Sequence, residues 1–288
     1  MASVWGDVQP GGCKAIGKGM IYTDTDIEKA LQSIGLRPDV IGDVRWFHRK
    51  SKNMDWYFVT PLKQSSFEGK VAFAAEGAVK IWDAVTGETR PASAEYRDGY
   101  TYVDLKLLYA GSCFVVFNSK KEHVNCSEPE QGAETVIAGP WEVSFPEGWG
   151  APSDVTVTEL MPWCEMPFSD EGKAFSGKAT YKTVFTLDKD AARKPVTLDL
   201  GKVDMIAQVR LNGESLRPLW CKPYSLEVGD YVKEGENTLE IDVISTWFNR
   251  LVYDASQPEE MRKTWVIAGP SANKPLRHSG LMGPVTLR

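Results

Sequence analysis

Apolar and polar positions alternate along most of the chain. Val44-Arg45-Trp46-Phe47-His48, Trp56-Tyr57-Phe58-Val59, Lys70-Val71-Ala72-Phe73-Ala74, Val79-Lys80-Ile81-Trp82, Tyr100 to Leu107 and Cys113 to Phe117 are short runs rich in β-branched and aromatic residues, separated by clusters of Gly, Pro, Asn and Asp. Successive side chains of a strand point to opposite faces, so such runs bury one face each and predict an all-β sandwich. A second set follows the same rule: Tyr181, Thr183, Phe185 and Leu187 alternate with Lys182, Val184 and Thr186, and Val196-x-Leu198-x-Leu200 and Leu239-x-Ile241-x-Val243 repeat the pattern. Asn212-Gly213, between Val209-Arg210-Leu211 and Glu214-Ser215-Leu216, predicts a tight hairpin, because a type I′ turn needs positive φ at both central residues. The period becomes helical once, over residues 24 to 34. There Thr25-x-x-Glu28 fits a capping box, Ile27, Ala30, Leu31 and Ile34 recur at helical spacing, and Gly35 and Pro38 close the segment.

Residues 119 to 136 break the pattern: they are polar, charged and nearly free of aliphatic side chains, as a linker is. The expected organisation is an N-terminal extension with the helix (1–40), a β-sandwich (41–118), a linker (119–136) and a second β domain (137–288). A chain of 288 residues, 42% hydrophobic and 25% charged, has the material for two cores.

Charge and motif spacing exclude several chemistries. The net charge is −6 and no basic cluster is longer than Lys120-Lys121, so the attraction to phosphate on which nucleic-acid binders depend is missing. No apolar run approaches the length of a membrane helix, and Met1-Ala2-Ser3-Val4-Trp5-Gly6-Asp7 has no secretory signal pattern. Gly12-x-x-x-x-Gly17-Lys18 imitates a phosphate loop, but Gly19 stands where the magnesium-binding hydroxyl belongs. Asp24-x-Asp26-x-Glu28 opens like a calcium loop, yet Lys29 and Gly35 occupy the positions that need Gly and Glu. Cysteines 13, 113, 126, 164 and 221 are odd in number and contain no CxxC pair, so they read as mostly buried thiols rather than a disulfide or zinc framework. His48, His123 and His278 are dispersed, with only His123-x-x-Cys126 at ligand spacing. No Gly-x-Ser-x-Gly elbow is present, and most carboxylates sit in turns.

Ten Trp, ten Tyr and eleven Phe make the chain rich in rings. A flat ring stacks on the apolar face of a pyranose while amides, guanidinium groups and carboxylates bond its hydroxyls. Two constellations combine these types. Trp220-Cys221-Lys222-Pro223-Tyr224 follows the Asn212-Gly213 hairpin, and Thr246-Trp247-Phe248-Asn249-Arg250 leaves the strand over 238 to 244. The candidate carbohydrate-binding residues are therefore Trp220, Tyr224, Trp247, Asn249 and Arg250; the competing expectation is that they pack a corner or staple the domain to its neighbour.

A family resemblance extends this reading. From Gly139-Pro140-Trp141 onward the motifs run Phe175-Ser176-Gly177-x-Ala179-x-Tyr181, Leu198-Asp199-Leu200-Gly201-x-Val203, Val209-x-Leu211-Asn212-Gly213, Trp220-x-x-Pro223-Tyr224, Gly235-x-Asn237-x-Leu239, Trp247-x-Asn249-Arg250-Leu251 and Ser279-Gly280-Leu281-x-Gly283-Pro284-Val285. In this order they resemble the sugar-binding, galactose-binding-like jelly roll of family 2 type glycoside hydrolases, and in particular the C-terminal part of the family 106 α-L-rhamnosidases. The first half, through Gly17-Lys18-Gly19, Pro38-Asp39-Val40, Phe47-His48-Arg49, Asp55-x-Tyr57-Phe58-Val59, Trp82-Asp83-x-x-Thr86-Gly87 and Ser112-x-Phe114-Val115-Val116-Phe117, is similar to the segment that precedes that jelly roll.

The resemblance implies an ancillary, carbohydrate-binding region of a plant-polysaccharide-degrading enzyme. The family's catalytic carboxylates lie in a large barrel that this chain has neither the length nor the strand-helix alternation to form, so no catalytic residue carries over. The alternatives are a glycoside hydrolase in its own right with an inter-domain site, and a structural protein-interaction sandwich. The expected partners are carbohydrate and a glycosidase catalytic domain, with neither nucleic acid nor membrane. No cofactor or metal is expected, and a structural calcium has no support in the sequence. Relatives of this kind are usually periplasmic or extracellular, an expectation the missing signal leaves open.

Overall fold

The computed structural model describes residues 8–63, 65–118, 134–189 and 196–288, so most of the expected linker, with His123 and Cys126, lies outside the described residues. The chain divides into two compact units, Met1–Ser127 and Glu128–Arg288.

The first unit opens with a hairpin of β1 (Cys13–Ile16) and β2 (Gly19–Tyr22). Its tip is Gly17-Lys18, where Gly17 holds the positive φ of 61° that a two-residue loop requires. The glycines that imitate a phosphate loop thus serve a turn. Helix α1 (Ile27–Ser33) follows, capped by Asp26, whose carboxylate accepts the Glu28 N–H at 2.8 Å; Thr25, the expected cap, instead bonds back to the Thr23 carbonyl. The apolar stripe of α1 is uncovered, with Ile27 75% and Ile34 52% exposed, although its spacing predicts burial.

Two antiparallel sheets complete this unit. One runs β3 (Val40–Ile41), β6 (Phe67–Phe73), β10 (Tyr100–Leu107), β9 (Ala94–Arg97); the other runs β4 (Val44–Lys50), β5 (Met54–Pro61), β11 (Cys113–Asn118), β7 (Ala78–Asp83), β8 (Thr89–Pro91). Tyr57, Val59, Val71, Phe73, Val103, Val115 and Phe117 form the core between them. At its margin the His48 ring stacks on Tyr57 at 4.1 Å, with Nδ1 2.8 Å from Asp39 and Nε2 2.9 Å from Asp55. This clasp fastens the segment entering β3 to β4 and β5. Burial, with Asp39 alongside, pushes the Tyr57 phenol well above its ordinary value.

The second unit is the jelly roll. Its smaller sheet runs β12 (Thr135–Val136), β23 (Thr286–Leu287), β16 (Thr197–Asp199), β20 (Ser225–Glu227). The larger runs β14 (Asp154–Val157), β13 (Trp141–Ser144), β15 (Lys178–Leu187), β21 (Gly235–Ile244), β18 (Ile206–Leu211), β19 (Glu214–Ser215), while β17 (Lys202–Val203) pairs with β22 (Leu281–Gly283). Asn212 and Gly213 turn between β18 and β19 with φ of 53° and 88°, as the hairpin signal requires. The long pair β15–β21 splits its faces cleanly. Ala179, Tyr181, Thr183, Leu239, Ile241 and Val243 enter the core, and Lys178, Thr180, Arg210, Glu240 and Asp242 form a charged network on the other side.

The structure adds helices that strand patterning does not show: α2 (Asp170–Lys173) and α3 (Phe248–Ala255). Of the four described cysteines only Cys113 is buried; Cys13 is exposed and Cys164 and Cys221 are intermediate, so the expectation of mostly buried thiols fails. Burial raises the Cys113 thiol to about 11.

Candidate functional site

One end of the jelly roll collects the loops that matter. The β21 strand ends at Ile244, opposite Ile206 of β18, and Ala207 in turn bridges Leu219. Register therefore brings the start of the Trp220 segment and the exit toward Trp247 to the same end of the larger sheet, about 10 Å apart across two strand spacings. Beyond Ile244 the chain forms α3 and then an excursion that returns at Ser279.

Beneath this end lies a core of rings. The fully buried Trp163 donates its indole N–H to Tyr181 at 2.6 Å, and the Leu281 N–H reaches the same phenol oxygen. Burial pushes Tyr181 up to about 12, so it remains a neutral hydroxyl that can both accept and donate. Phe145 and Phe175 pack edge to face on Trp163, and Phe168 packs edge to face on Phe145. Gly280 passes close by with φ of 106°, where an added Cβ would come 2.6 Å from the indole nitrogen.

Helix α3 stands on this base and buries polar residues. Arg250 is 1% exposed, with Nη1 2.8 Å from Glu171 of α2 and Nη2 2.7 Å from Asp254 one turn on. The other Asp254 oxygen accepts from the Lys263 N–H, the Thr264 N–H and the Thr264 hydroxyl. Lys263 Nζ closes the circuit on Glu171 at 2.8 Å and on the Gly148 carbonyl. Glu171 is held below the usual carboxylate range by its hydrogen bonds from Lys263 and Arg250. Burial works to raise Asp254, but the hydrogen bonds from Arg250 and Thr264 outweigh it and leave the group below its ordinary value. Burial likewise opposes the charge on Arg250, and the bonds to Asp254 and Glu171 more than restore it.

Asn249 uses both ends of its amide on the backbone of Arg277, each bond 2.8 Å long, and so pins the far end of the excursion. The Arg277 guanidinium lies 3.6 Å over the Phe248 ring. Asp204, near Ser279, is a half-buried carboxyl raised by burial against the opposing Ser279 hydrogen bond and the Arg277 charge.

On top of the charged circuit sits an aromatic pair. Trp247, the residue before α3, meets Trp149 edge to face at 5.1 Å and is 46% exposed. Trp149 in turn covers Arg250 at 5.5 Å and Lys263 at 5.9 Å. Gly150, at φ 86°, lets the Trp149 loop press against Glu171, where a side chain would clash. Trp265 follows Thr264 on the excursion and is 82% exposed.

The five residues expected to contact sugar thus divide. Trp220 and Trp247 present their rings to solvent, whereas Tyr224 is buried with its hydroxyl on the Met205 carbonyl, and Asn249 and Arg250 are consumed by internal partners. Sequence reasoning did not single out Trp149, Glu171, Asp254, Lys263 or Trp265. The Arg250-x-x-x-Asp254 spacing, which sets opposite charges one helical turn apart, is the signal that could have found the circuit.

Chemically the site offers a ring platform flanked by Glu171 and Lys263. It does not offer an acid and base from Glu171 and Asp254, since both are held ionised on one guanidinium and glycoside cleavage needs one carboxyl protonated.

Comparisons with known proteins relate the chain to carbohydrate-active proteins. Residues 1–97 match the family model of the family 106 alpha-L-rhamnosidases, and residues 171–281 match the galactose-binding domain-like model of the family 2 glycosyl hydrolases, as the motif order implied. The rhamnosidase structure from Novosphingobium sp. PP1Y superposes over 99% of this chain with a TM-score of 0.82 and 32% identity. A Formosa agariphila sequence that carries a beta-glucuronidase name is 38% identical over 131 residues, 44% of this chain. A Ruminococcus gnavus beta-glucuronidase structure aligns with 56% of the chain at 17% identity and a TM-score of 0.41. The chain spans 28% of the rhamnosidase and 11% of the Formosa sequence.

Proposed function

We propose that the chain is a non-catalytic, carbohydrate-binding region of a plant-polysaccharide-degrading glycoside hydrolase, and that the jelly roll receives sugar at its loop end. The observation that carries this is the Trp247–Trp149 pair, a solvent-facing ring platform fixed from below by the Arg250 circuit. Trp247, with Trp220 beyond it, supplies the stacking surface; Glu171 and Lys263 are the polar groups at its edge. Arg250 and Asn249 act as positioning residues, and Tyr224 holds the Trp220 segment to Met205.

Trp247→Ala tests the reading. Loss of a stacking ring is worth about 1–3 kcal/mol, so affinity electrophoresis in gels containing uncharged plant polysaccharides should show a tenfold to hundredfold weaker retention. The melting temperature should fall only by the few degrees that one aromatic contact supports. A large fall in melting temperature with retention intact would make Trp247 a structural residue and overturn the assignment. A panel of aryl glycosides, rhamnosides included, decides the enzymatic alternative: sustained turnover abolished by a single carboxylate substitution would replace the ancillary reading.

A further inference from the structure

The first unit carries another surface that the jelly-roll site does not involve, the outward face of its five-stranded sheet. In the register of that sheet Phe47 pairs with Phe58, Phe58 with Phe114, and Phe114 with Trp82. Four rings therefore stand side by side on four successive strands. Alternation places them opposite the buried Tyr57, Val59, Val115 and Ile81, and so outside. With strands about 4.8 Å apart the row is about 14 Å long. Phe47 is 54% and Trp82 39% exposed, while Phe58 and Phe114 lean on one another at 5.2 Å.

The flanks of the row are cationic. The adjoining register line reads Arg49, Trp56, Val116, Lys80, and Arg45 with Thr60 lies on the other side. No Asp or Glu occupies an outward position on these five strands, in a chain whose net charge is −6. Arg49 lies 4.5 Å over the Phe47 ring, and among the described residues none of Arg45, Arg49 and Lys80 forms an ion pair.

We propose that this strip binds a linear, uronate-bearing polysaccharide. The rings stack on the apolar faces of successive pyranoses, for which one strand spacing is a suitable step, and the three cations pair with the carboxylates. The strip is one to two residues wide and hemmed by charge, a shape for a ribbon-like chain rather than for a protein face of about 800 Å² per partner. A neutral glycan would leave the cations without a counterpart, which is why the charge on the polymer is the discriminating property.

The test uses the full chain and polygalacturonate, with its fully methyl-esterified form as the uncharged control, in titration calorimetry at low and raised salt. Polygalacturonate is expected to bind, at least tenfold more tightly than the ester, and to weaken as salt rises. Trp82→Ala and Arg49→Gln should each weaken it tenfold or more with unchanged unfolding curves. The strip variants leave the Trp247 platform intact, and that platform is read on uncharged polysaccharide, so failure of this strip and failure of the jelly-roll site are read separately. Equal binding of the ester, no binding of polygalacturonate, or indifference to both strip variants would overturn the proposal. So would self-association in sedimentation that Trp82→Ala abolishes, because the strip would then be a contact between copies.

Discussion

Replacing Arg250 by Met removes a guanidinium that is 1% exposed while keeping most of its stem, and so isolates the charge. Asp254, whose side chain is 3% exposed, would be left as a buried carboxylate without its cation. Breaking one side of a buried pair costs about 3–5 kcal/mol. Two features favour the lower end. Asp254 keeps its three donors from Lys263 and Thr264, and Glu171, 30% exposed, keeps Lys263. The expected loss is about 3 kcal/mol, which for a unit of this size lowers its melting temperature by about 6–12 °C. Calorimetry of the full chain should show one transition moved by this amount and the other unchanged. Adding Asp254→Asn to Arg250→Met should recover part of the loss, because an amide does not strand a charge. A loss under about 1 kcal/mol, or strictly additive costs in the double variant, would refute the claim that the ion pair holds α3. The same circuit sets a pH dependence. Glu171 and Asp254 have lowered folded values, so the unfolded chain takes up protons first and stability falls with pH. Their contribution is present above the ordinary carboxylate range, near 4, and is lost as pH falls through the folded values; in Arg250→Met this acid sensitivity should shrink.

Gly280→Ala would place a methyl 2.6 Å from the indole nitrogen of a fully buried Trp163 that Tyr181 holds in place, at a φ of 106° that Ala resists. The expected cost is at least about 2 kcal/mol in urea unfolding, and a neutral outcome would mean that the core at the site end is looser than its hydrogen bonds imply. In the first unit His48→Phe keeps a ring on Tyr57 but deletes both carboxylate contacts. With His48, Asp39 and Asp55 each partly exposed, about 1–2 kcal/mol is expected from two such bonds after solvent screening, and an unchanged urea midpoint would show that the clasp is ornamental to stability.

Wherever one face of a strand is apolar and the other wet, the sequence alone carries the architecture. Tyr181 to Leu187, Leu239 to Val243 and Tyr100 to Leu107 are strands because no other local structure separates their two classes of side chain, and Asn212-Gly213 is a turn because of the φ values it tolerates. The same rule hid α3. Its buried positions, Asn249, Arg250, Val252 and Asp254, are mostly polar, so the hydrophobic pattern does not mark its buried face; the helix is held by ion pairs and hydrogen bonds that form only after distant segments meet. Conversely, the apolar stripe of α1 reads as a core face and is exposed, since periodicity states which side is apolar and not what covers it.

Local composition also brought Trp220, Tyr224, Trp247, Asn249 and Arg250 into view, because residue types that suit a sugar can be recognised in a row. Which of them face solvent is a tertiary matter. Arg250 is drawn inward by Glu171, 79 positions away in the chain, and Asn249 by the backbone of Arg277, 28 positions away, leaving the Trp220 and Trp247 rings outside. The aromatic strip of the first unit has the same origin. Phe47, Phe58, Phe114 and Trp82 are unremarkable within their own segments, and only strand register, fixed by burial of the opposite face, sets them side by side.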